Sequence, residues 1–199
     1  LLESCLVFDP DNIKVKHDYI TALLRRQKYG LALDTAKKLY TSNPEQLVAM
    51  KLYATTLFRA DMYDKAIELY ETILDLEPLN TDVMLSMGHL YKTAGQIDKS
   101  IESYINAFGR DKYFGDSYWS LANLKTYKFT EEQIQSLQEM VKDEFVPDEE
   151  KVFMYFSLGK AYEDMGKYKE SFDFYKSGNE YQRSNSSYSK EDFSEECKN

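Results

Sequence analysis

The stretch that decides the fold runs from Thr81 to Phe114 and reads TDVMLSMGHLYKTAGQIDKSIESYINAFGRDKYF. Its first half carries apolar or small residues at the i, i+3, i+4 and i+7 positions of a helix, namely Met84, Met87, Gly88 and Tyr91. After a break at Gly95, the second half repeats the pattern with Ile97, Ser100, Ile101, Tyr104, Ala107 and Phe108. Neither helix can bury its stripe alone. The pattern therefore predicts two amphipathic helices that pack together, with the small residues Gly88 and Ser100 at a close approach.

The same pattern recurs at an interval of 34 residues toward the N-terminus. In residues 47–80 the stripes are Met50, Tyr53, Ala54 and Leu57, then Tyr63, Ala66, Tyr70 and Ile73. In residues 13–46 they include Tyr19, Leu23, Tyr29, Ala32, Ala36 and Leu39. Three prolines keep the same interval, each just after a second helix, at Pro10, Pro44 and Pro78. Because proline lacks a backbone N–H, it ends one helix or begins the next. The repetition predicts an array of helix pairs.

A period of 34 with Gly or Ala early, Ala or Ser in the middle, an aromatic residue four positions later and Pro near the end resembles the tetratricopeptide repeat (TPR) family. The resemblance implies an all-α fold, a right-handed superhelical solenoid of antiparallel helix pairs. Complete repeats are expected in 13–46, 47–80, 81–114 and 152–185, with a degenerate TPR-like helix pair in 115–151. Residues 1–12 are expected to be the last part of a truncated repeat. Residues 186–199 are expected to form a linker and the start of a further helix that leads to a missing C-terminal region.

The fourth repeat departs from the pattern in its second half. Its first helix is expected to be regular, with its stripe at Tyr118, Leu121 and Ala122. A capping box from Thr130 to Gln133 predicts a second helix from about Glu131. Ile134 replaces the usual alanine, which predicts more open packing of this pair. For the second repeat, residues 43–46 (Asn-Pro-Glu-Gln) predict an N-cap, a first-turn proline and a glutamine at the third helical position.

Composition excludes several classes of protein. The chain has 199 residues, of which 43% are hydrophobic, so it can bury a sizeable core. No apolar run is long enough to span a membrane, and the first residues lack the order of a signal peptide. The net charge of −9 argues against nucleic acid as a partner, because phosphate binding needs a basic surface. Cys5 and Cys197 form no disulfide or metal-binding pattern, which favours a cytoplasmic protein.

The sequence offers no candidate for catalysis, cofactor binding or a metal. His17 and His89 are expected on polar faces of first helices, without Cys or paired carboxylates at ligand spacing. The acidic groups at 131–132 and 148–150 stand at expected helix starts, where they favour the helix macrodipole. The serines lie in no nucleophile motif. We therefore expect this chain not to be an enzyme by itself.

In TPR arrays the first helices line a concave groove, and the resemblance implies that residues beside the core stripe face a protein or peptide partner there. These residues are Lys14, His17, Lys51, Thr55, Phe58, Arg59, His89, Lys92, Trp119, Asn123, Phe156 and Lys160, with Thr21, Leu85, Thr126 and Glu163 beside them. The basic clamp that some TPR proteins use for acidic chaperone tails is absent, since its places hold His17, Thr21, Leu52, Asp82 and Ser86. Trp119 is either packing over the fourth repeat or an anchor for a ligand.

Residues 115–188 also resemble the region that precedes the catalytic domain in bacterial TPR-containing sulfotransferases. The resemblance rests on the run from Tyr118 to Phe129, on the run from Phe156 to Asp164, and on Tyr175 to Asn179 with Arg183. It implies that the chain is the non-catalytic N-terminal arm of a larger enzyme, which binds a protein partner or its own catalytic domain. The chain itself contains no glycine-rich phosphate cradle. The alternative is a free-standing adaptor that assembles a protein complex.

Overall fold

A computed structural model describes residues 12–184, and these contain ten α-helices and no strand. The helices are α1 (Ile13–Arg25), α2 (Tyr29–Ser42), α3 (Leu47–Arg59), α4 (Tyr63–Leu76), α5 (Thr81–Thr93), α6 (Ile97–Arg110), α7 (Gly115–Ala122), α8 (Glu131–Met140), α9 (Asp148–Asp164) and α10 (Tyr168–Ser184). The predicted all-α class is confirmed. The truncated repeat before Asn12, the C-terminal linker, Cys5 and Cys197 lie outside the described residues.

Asparagine side chains begin two of the first helices. Asn12 and Asn80 cap α1 and α5, since each side-chain oxygen accepts a hydrogen bond of 3.1 Å from the backbone N–H three residues later. At the equivalent place before α3 stands Gln46, whose side chain makes no capping bond. The predicted N-cap at Asn43 was wrong. Asn43 is the C-cap of α2 and donates from Nδ2 to the Leu39 carbonyl at 3.1 Å, because the chain turns through residues 44–45 before α3 begins.

The turns inside the first three helix pairs repeat every 34 residues with the same backbone conformation. Gln27, Asp61 and Gly95 lie 34 residues apart, and all three have a left-handed backbone, with φ of 57°, 58° and 75°. Only Gly95 adopts this conformation without steric cost. The break that the sequence predicted at Gly95 is confirmed, and the other two turns keep the same geometry with less permissive residues.

The chain divides into two compact units, Leu1–Ser103 and Tyr104–Asn199, which we call the N-terminal unit and the C-terminal unit. In the N-terminal unit, successive helices from α1 to α5 pack against their neighbours. Four alanines of this unit, Ala32, Ala36, Ala54 and Ala66, are fully buried in its core. Between α5 and α6, Ser100 Oγ donates to the Gly88 carbonyl at 2.8 Å, and both residues are buried. The predicted close approach of these two residues is confirmed.

In the C-terminal unit, α9 is the central element, because α7, α8 and α10 all pack against it. The α9–α10 pair repeats the contact seen between α5 and α6. Ser171 Oγ donates to the Gly159 carbonyl at 2.8 Å, and the Tyr175 ring lies directly over Gly159. A second core forms here around Leu137, Met154 and Leu158. The fifth repeat therefore returns to the packing of the third.

The fourth helix pair is open, as the isoleucine at position 134 predicted. The capping box and the start of α8 at Glu131 are confirmed, since Thr130 and Gln133 exchange both capping bonds. The expectation of a regular first helix was wrong, because α7 ends after 8 residues and Lys125 turns the backbone to φ 61°. Within the described part, α7 and α8 make little direct contact with each other. Helix α9 begins at Asp148, four residues before the expected start of the fifth repeat at 152.

A carboxylate from α9 holds the beginning of α7. Glu150 Oε2 accepts a hydrogen bond of 2.7 Å from the backbone N–H of Gly115, where the N-cap residue Phe114 offers no side-chain bond. Burial raises the pKa of Glu150, although the bonds from the backbone of Gly115 and Asp116 act in the opposite direction. The sequence assigned this glutamate to the first turn of its own helix. The structure shows that its carboxylate also accepts a hydrogen bond from the first turn of the neighbouring helix α7.

Candidate functional site

A groove on the N-terminal unit brings cationic and apolar side chains together. It has a volume of about 700 Å³, and we call it the basic groove. Its lining residues are His17, Thr21, Leu24, Arg25, Gln27, Tyr29, Val48, Lys51, Leu52, Thr55 and Arg59. Helices α1 and α3 supply most of these side chains. The volume lies within the range of ordinary ligand pockets.

The charge of the basic groove is positive and not compensated locally. No carboxylate lines it, and among residues 12–184 no carboxylate forms a salt bridge with Arg25, Lys51 or Arg59. The Arg59 guanidinium lies 5.9 Å from the centre of the Phe58 ring. His17 Nδ1 lies 3.3 Å from Oδ1 of its sequence neighbour Asp18. The groove therefore presents three cations to solvent in a chain whose net charge is −9.

The groove also exposes apolar surface and has a rigid floor. Val48 is 52% exposed and Tyr29 is 37% exposed, and Leu24 lies beside them in the lining. On the floor, Thr55 Oγ1 is 3.0 Å from the hydroxyl of the buried Tyr70. Burial raises the pKa of Tyr70, so this hydroxyl keeps its proton at neutral pH. The groove offers cations for an anionic ligand and apolar contacts for a hydrophobic side chain.

Five of the residues predicted for a binding surface meet in this groove. They are His17, Thr21, Lys51, Thr55 and Arg59. Lys14 and Phe58 lie on the same two helices outside the lining, and Phe58 packs at 6.2 Å from the Tyr63 ring centre. His89 is half-buried and Lys92 is exposed, both on α5 and also outside the lining.

The other predicted site residues lie in the C-terminal unit. Trp119 is half-buried, and its ring centre is 5.6 Å from that of Phe156. Asn123 is the exposed C-cap of α7. Lys160 Nζ lies 2.5 Å from Asp164 Oδ1, and this hydrogen bond raises the pKa of Lys160. Its charge is therefore paired with an acidic side chain of the same helix.

Six lining residues were not predicted from the sequence. They are Leu24, Arg25, Gln27, Tyr29, Val48 and Leu52. Arg25 could have been found by extending the stripe of His17 and Thr21 by one further helical turn. Gln27 and Tyr29 lie at or after the left-handed turn, where helical spacing no longer describes the direction of a side chain.

Two features are absent from the described part of the chain. None of its helices has both the length and the apolar composition needed to cross a membrane. Residues 12–184 also contain no group of three or more His, Cys, Asp or Glu side chains arranged to hold a metal ion.

Residues 81–113 and 154–185 match the family model of the tetratricopeptide repeat. The match supports tetratricopeptide repeats in these two segments. These two TPR segments are the ones in which a serine of the second helix donates to a glycine carbonyl of the first.

A curated relative and several solved structures are similar to this chain at low identity. The chain is 30% identical over 76 residues, or 38% of its length, to the general transcriptional corepressor ssn6 of Schizosaccharomyces pombe, and the match spans 7% of that relative. It resembles the crystal structure of BtubC from P. vanneervenii with a TM-score of 0.65 and 12% identity, covering 94% of this chain and 88% of the other. It resembles MamA from Desulfovibrio magneticus RS-1 with a TM-score of 0.57 and 16% identity, covering 87% of this chain and 97% of the other. These structural similarities support the TPR fold alone.

Proposed function

We propose that this chain is a TPR scaffold whose basic groove binds an extended acidic segment of a partner protein. The observation that carries the proposal is the set of three cations, Arg25, Lys51 and Arg59, which surround exposed apolar surface without a carboxylate partner in the described residues. An arginine binds a carboxylate through two parallel hydrogen bonds, so acidic side chains are the natural occupants. The apolar contacts with Val48 and Tyr29 favour a segment that also carries an aromatic or aliphatic side chain.

The negative charge of the chain as a whole favours contact of an acidic partner with the basic groove rather than with the rest of the surface. Since the whole chain carries a net charge of −9, an acidic partner is repelled by most of the surface and attracted only at the basic groove. The floor bond between Thr55 and Tyr70 holds α3 and α4 together beneath the ligand. A prepared site of this kind loses little conformational freedom on binding.

The test is the binding of a fluorescein-labelled peptide of Asp and Glu residues with one central Phe. We expect fluorescence polarisation to show saturable binding that weakens as salt is raised, because the attraction between the charges is screened. Arg59→Ala should weaken binding by about 10- to 100-fold, since a hydrogen bond to a charged group contributes about 1.5–3 kcal/mol.

Two controls make this measurement specific. Lys38→Ala removes an exposed lysine of α2 that does not line the groove, and it should leave the affinity unchanged. A peptide with lysine in place of every acidic residue should not bind. Equal weakening by Arg59→Ala and Lys38→Ala would show that only the overall charge matters and would contradict the proposed site.

For the parent protein, we propose that this TPR region is the non-catalytic arm of a larger sulfotransferase-like protein. The support is the resemblance of residues 115–188 described above. A free-standing adaptor is the second candidate, and the similarity of 76 residues to a general transcriptional corepressor supports it. The length of the full open reading frame distinguishes the two, because the first requires a further catalytic domain with a phosphate-binding loop.

Under either candidate, residues 1–199 alone should not bind 3′-phosphoadenosine 5′-phosphosulfate. The physical reason is that the sequence contains no strand, glycine-rich loop and helix in succession to cradle the phosphates. Isothermal titration calorimetry of this chain with the nucleotide should give no heat of binding. Micromolar binding would contradict the assignment of this region as a non-catalytic arm.

A further inference from the structure

The loop between α8 and α9 exposes a large aromatic side chain. Phe145 is 89% exposed, the most of any large hydrophobic residue in the described part of the chain. Exposed acidic side chains surround it in sequence, at Glu144, Asp148 and Glu149. We call residues 143–149 the acidic loop. An aromatic side chain that stands in solvent among carboxylates has no packing role in its own unit.

The acidic loop is held rigidly on both sides of Phe145. Val141 and Val146 are both buried in the core of the C-terminal unit. Asp143 Oδ1 accepts a hydrogen bond of 2.9 Å from the backbone N–H of Phe145, and Asp143 Oδ2 accepts one of 2.9 Å from the Tyr113 hydroxyl. The loop thus fixes the backbone at Phe145 while leaving its ring in solvent. A preorganised loop of this kind loses little entropy when it binds a partner.

The chemistry of the acidic loop is complementary to that of the basic groove. The groove presents Arg25, Lys51 and Arg59 around exposed apolar surface, and the loop presents carboxylates around one exposed ring. The hydrogen bonds from Phe145 and Tyr113 lower the pKa of Asp143, which keeps this end of the loop anionic. We propose that the acidic loop of one copy of this chain docks in the basic groove of a second copy, an inference that rests on the proposed peptide-binding role of the groove.

The charge distribution makes such self-association specific. Two copies with a net charge of −9 each repel one another, so they associate only where a local cationic surface meets an anionic one. The groove and the loop are different surfaces of the chain, so each copy offers one of each. A contact between two unlike surfaces leaves the groove of one copy and the loop of the other unoccupied, so further copies can add. Self-association should therefore grow with protein concentration.

The test uses two variants with complementary defects. Arg59→Glu reverses the charge of the groove and leaves the loop intact, while Phe145→Ser removes the ring and leaves the groove intact. Both side chains are exposed, so circular dichroism and thermal melting should match the parent. In sedimentation velocity we expect the parent to associate as its concentration rises, and each variant alone to associate at least about tenfold more weakly.

Mixing the two variants decides between this contact and any other. The Arg59→Glu variant supplies a working loop and the Phe145→Ser variant a working groove, so the mixture should form a one-to-one complex that neither forms alone. Lys142→Ala, which changes an exposed lysine beside the loop, should behave as the parent. A parent that stays monomeric, or a mixture that forms no complex, overturns the inference. If the Asp/Glu/Phe peptide still binds in that case, the proposed function of the groove stands, whereas loss of both removes both.

Discussion

Replacing Gly115 with alanine is expected to destabilise the C-terminal unit by about 3 kcal/mol, at the upper end of the cost of adding a methyl group to a packed site. A Cβ at this position would overlap the backbone oxygen of Glu150 and lie 3.0 Å from its carboxylate Oε2. Backbone atoms cannot rotate away as a flexible side chain does. The variant must therefore separate α7 from α9 and lengthen the hydrogen bond between Glu150 and the Gly115 N–H.

Thermal denaturation followed by calorimetry measures this effect, with an expected fall in Tm of about 6–12 °C. Gly109→Ala is the matched control, since a Cβ at that position in α6 would meet nothing within 4 Å. Alanine is favoured over glycine inside a helix by about 0.5–1 kcal/mol, so this control should melt at or slightly above the parent temperature. If Gly115→Ala also melts at the parent temperature, the contact between α7 and α9 is wrong.

Trp119→Ala is expected to cost about 2–3 kcal/mol of stability, less than the 3–5 kcal/mol typical of a fully buried aromatic residue. The ring is half-buried, and it packs at 5.6 Å from Phe156, whose own ring centre lies 6.3 Å from Tyr175. Of the two interpretations that the sequence left open, this geometry supports packing. Binding of the acidic peptide should be unchanged, because Trp119 does not line the basic groove.

The control for this variant is Tyr168→Ala, which removes a ring that is 72% exposed. Its free energy of unfolding should stay within about 0.5 kcal/mol of the parent. The free energies of unfolding in urea and the peptide affinity of both variants should be measured together. A Trp119→Ala protein that is as stable as the parent but loses peptide binding would identify Trp119 as an anchor and contradict the packing interpretation.

The sequence predicted the fold well where the chain repeats itself. Periodic stripes and the breaks at Asp61 and Gly95 fix the helix pairs, because each apolar face can be buried only against a neighbour. It failed at Asn123, where α7 ends although the following leucine and lysine favour helix. Leu124 is buried and Lys125 has a left-handed backbone, and local propensity predicts neither of these features.

The candidate site was predicted in part for a related reason. Helical spacing placed His17, Lys51, Thr55 and Arg59 on one surface, and the structure brings them together. The pairing of Lys160 with Asp164 was overlooked, although the two residues are four apart on one helix and this spacing favours an ion pair. Helical spacing therefore locates a surface, and the oppositely charged residues four positions away determine which of its charges are available.

Hydrogen–deuterium exchange of the whole chain, measured with and without the Asp/Glu/Phe peptide, tests whether the basic groove is its binding surface. We expect slower exchange in α1 (Ile13–Arg25) and α3 (Leu47–Arg59), the helices that line the groove, and no change in α7, α9 or α10. Protection confined to the helices that carry Trp119 and Phe156, with none in α1 and α3, would contradict it.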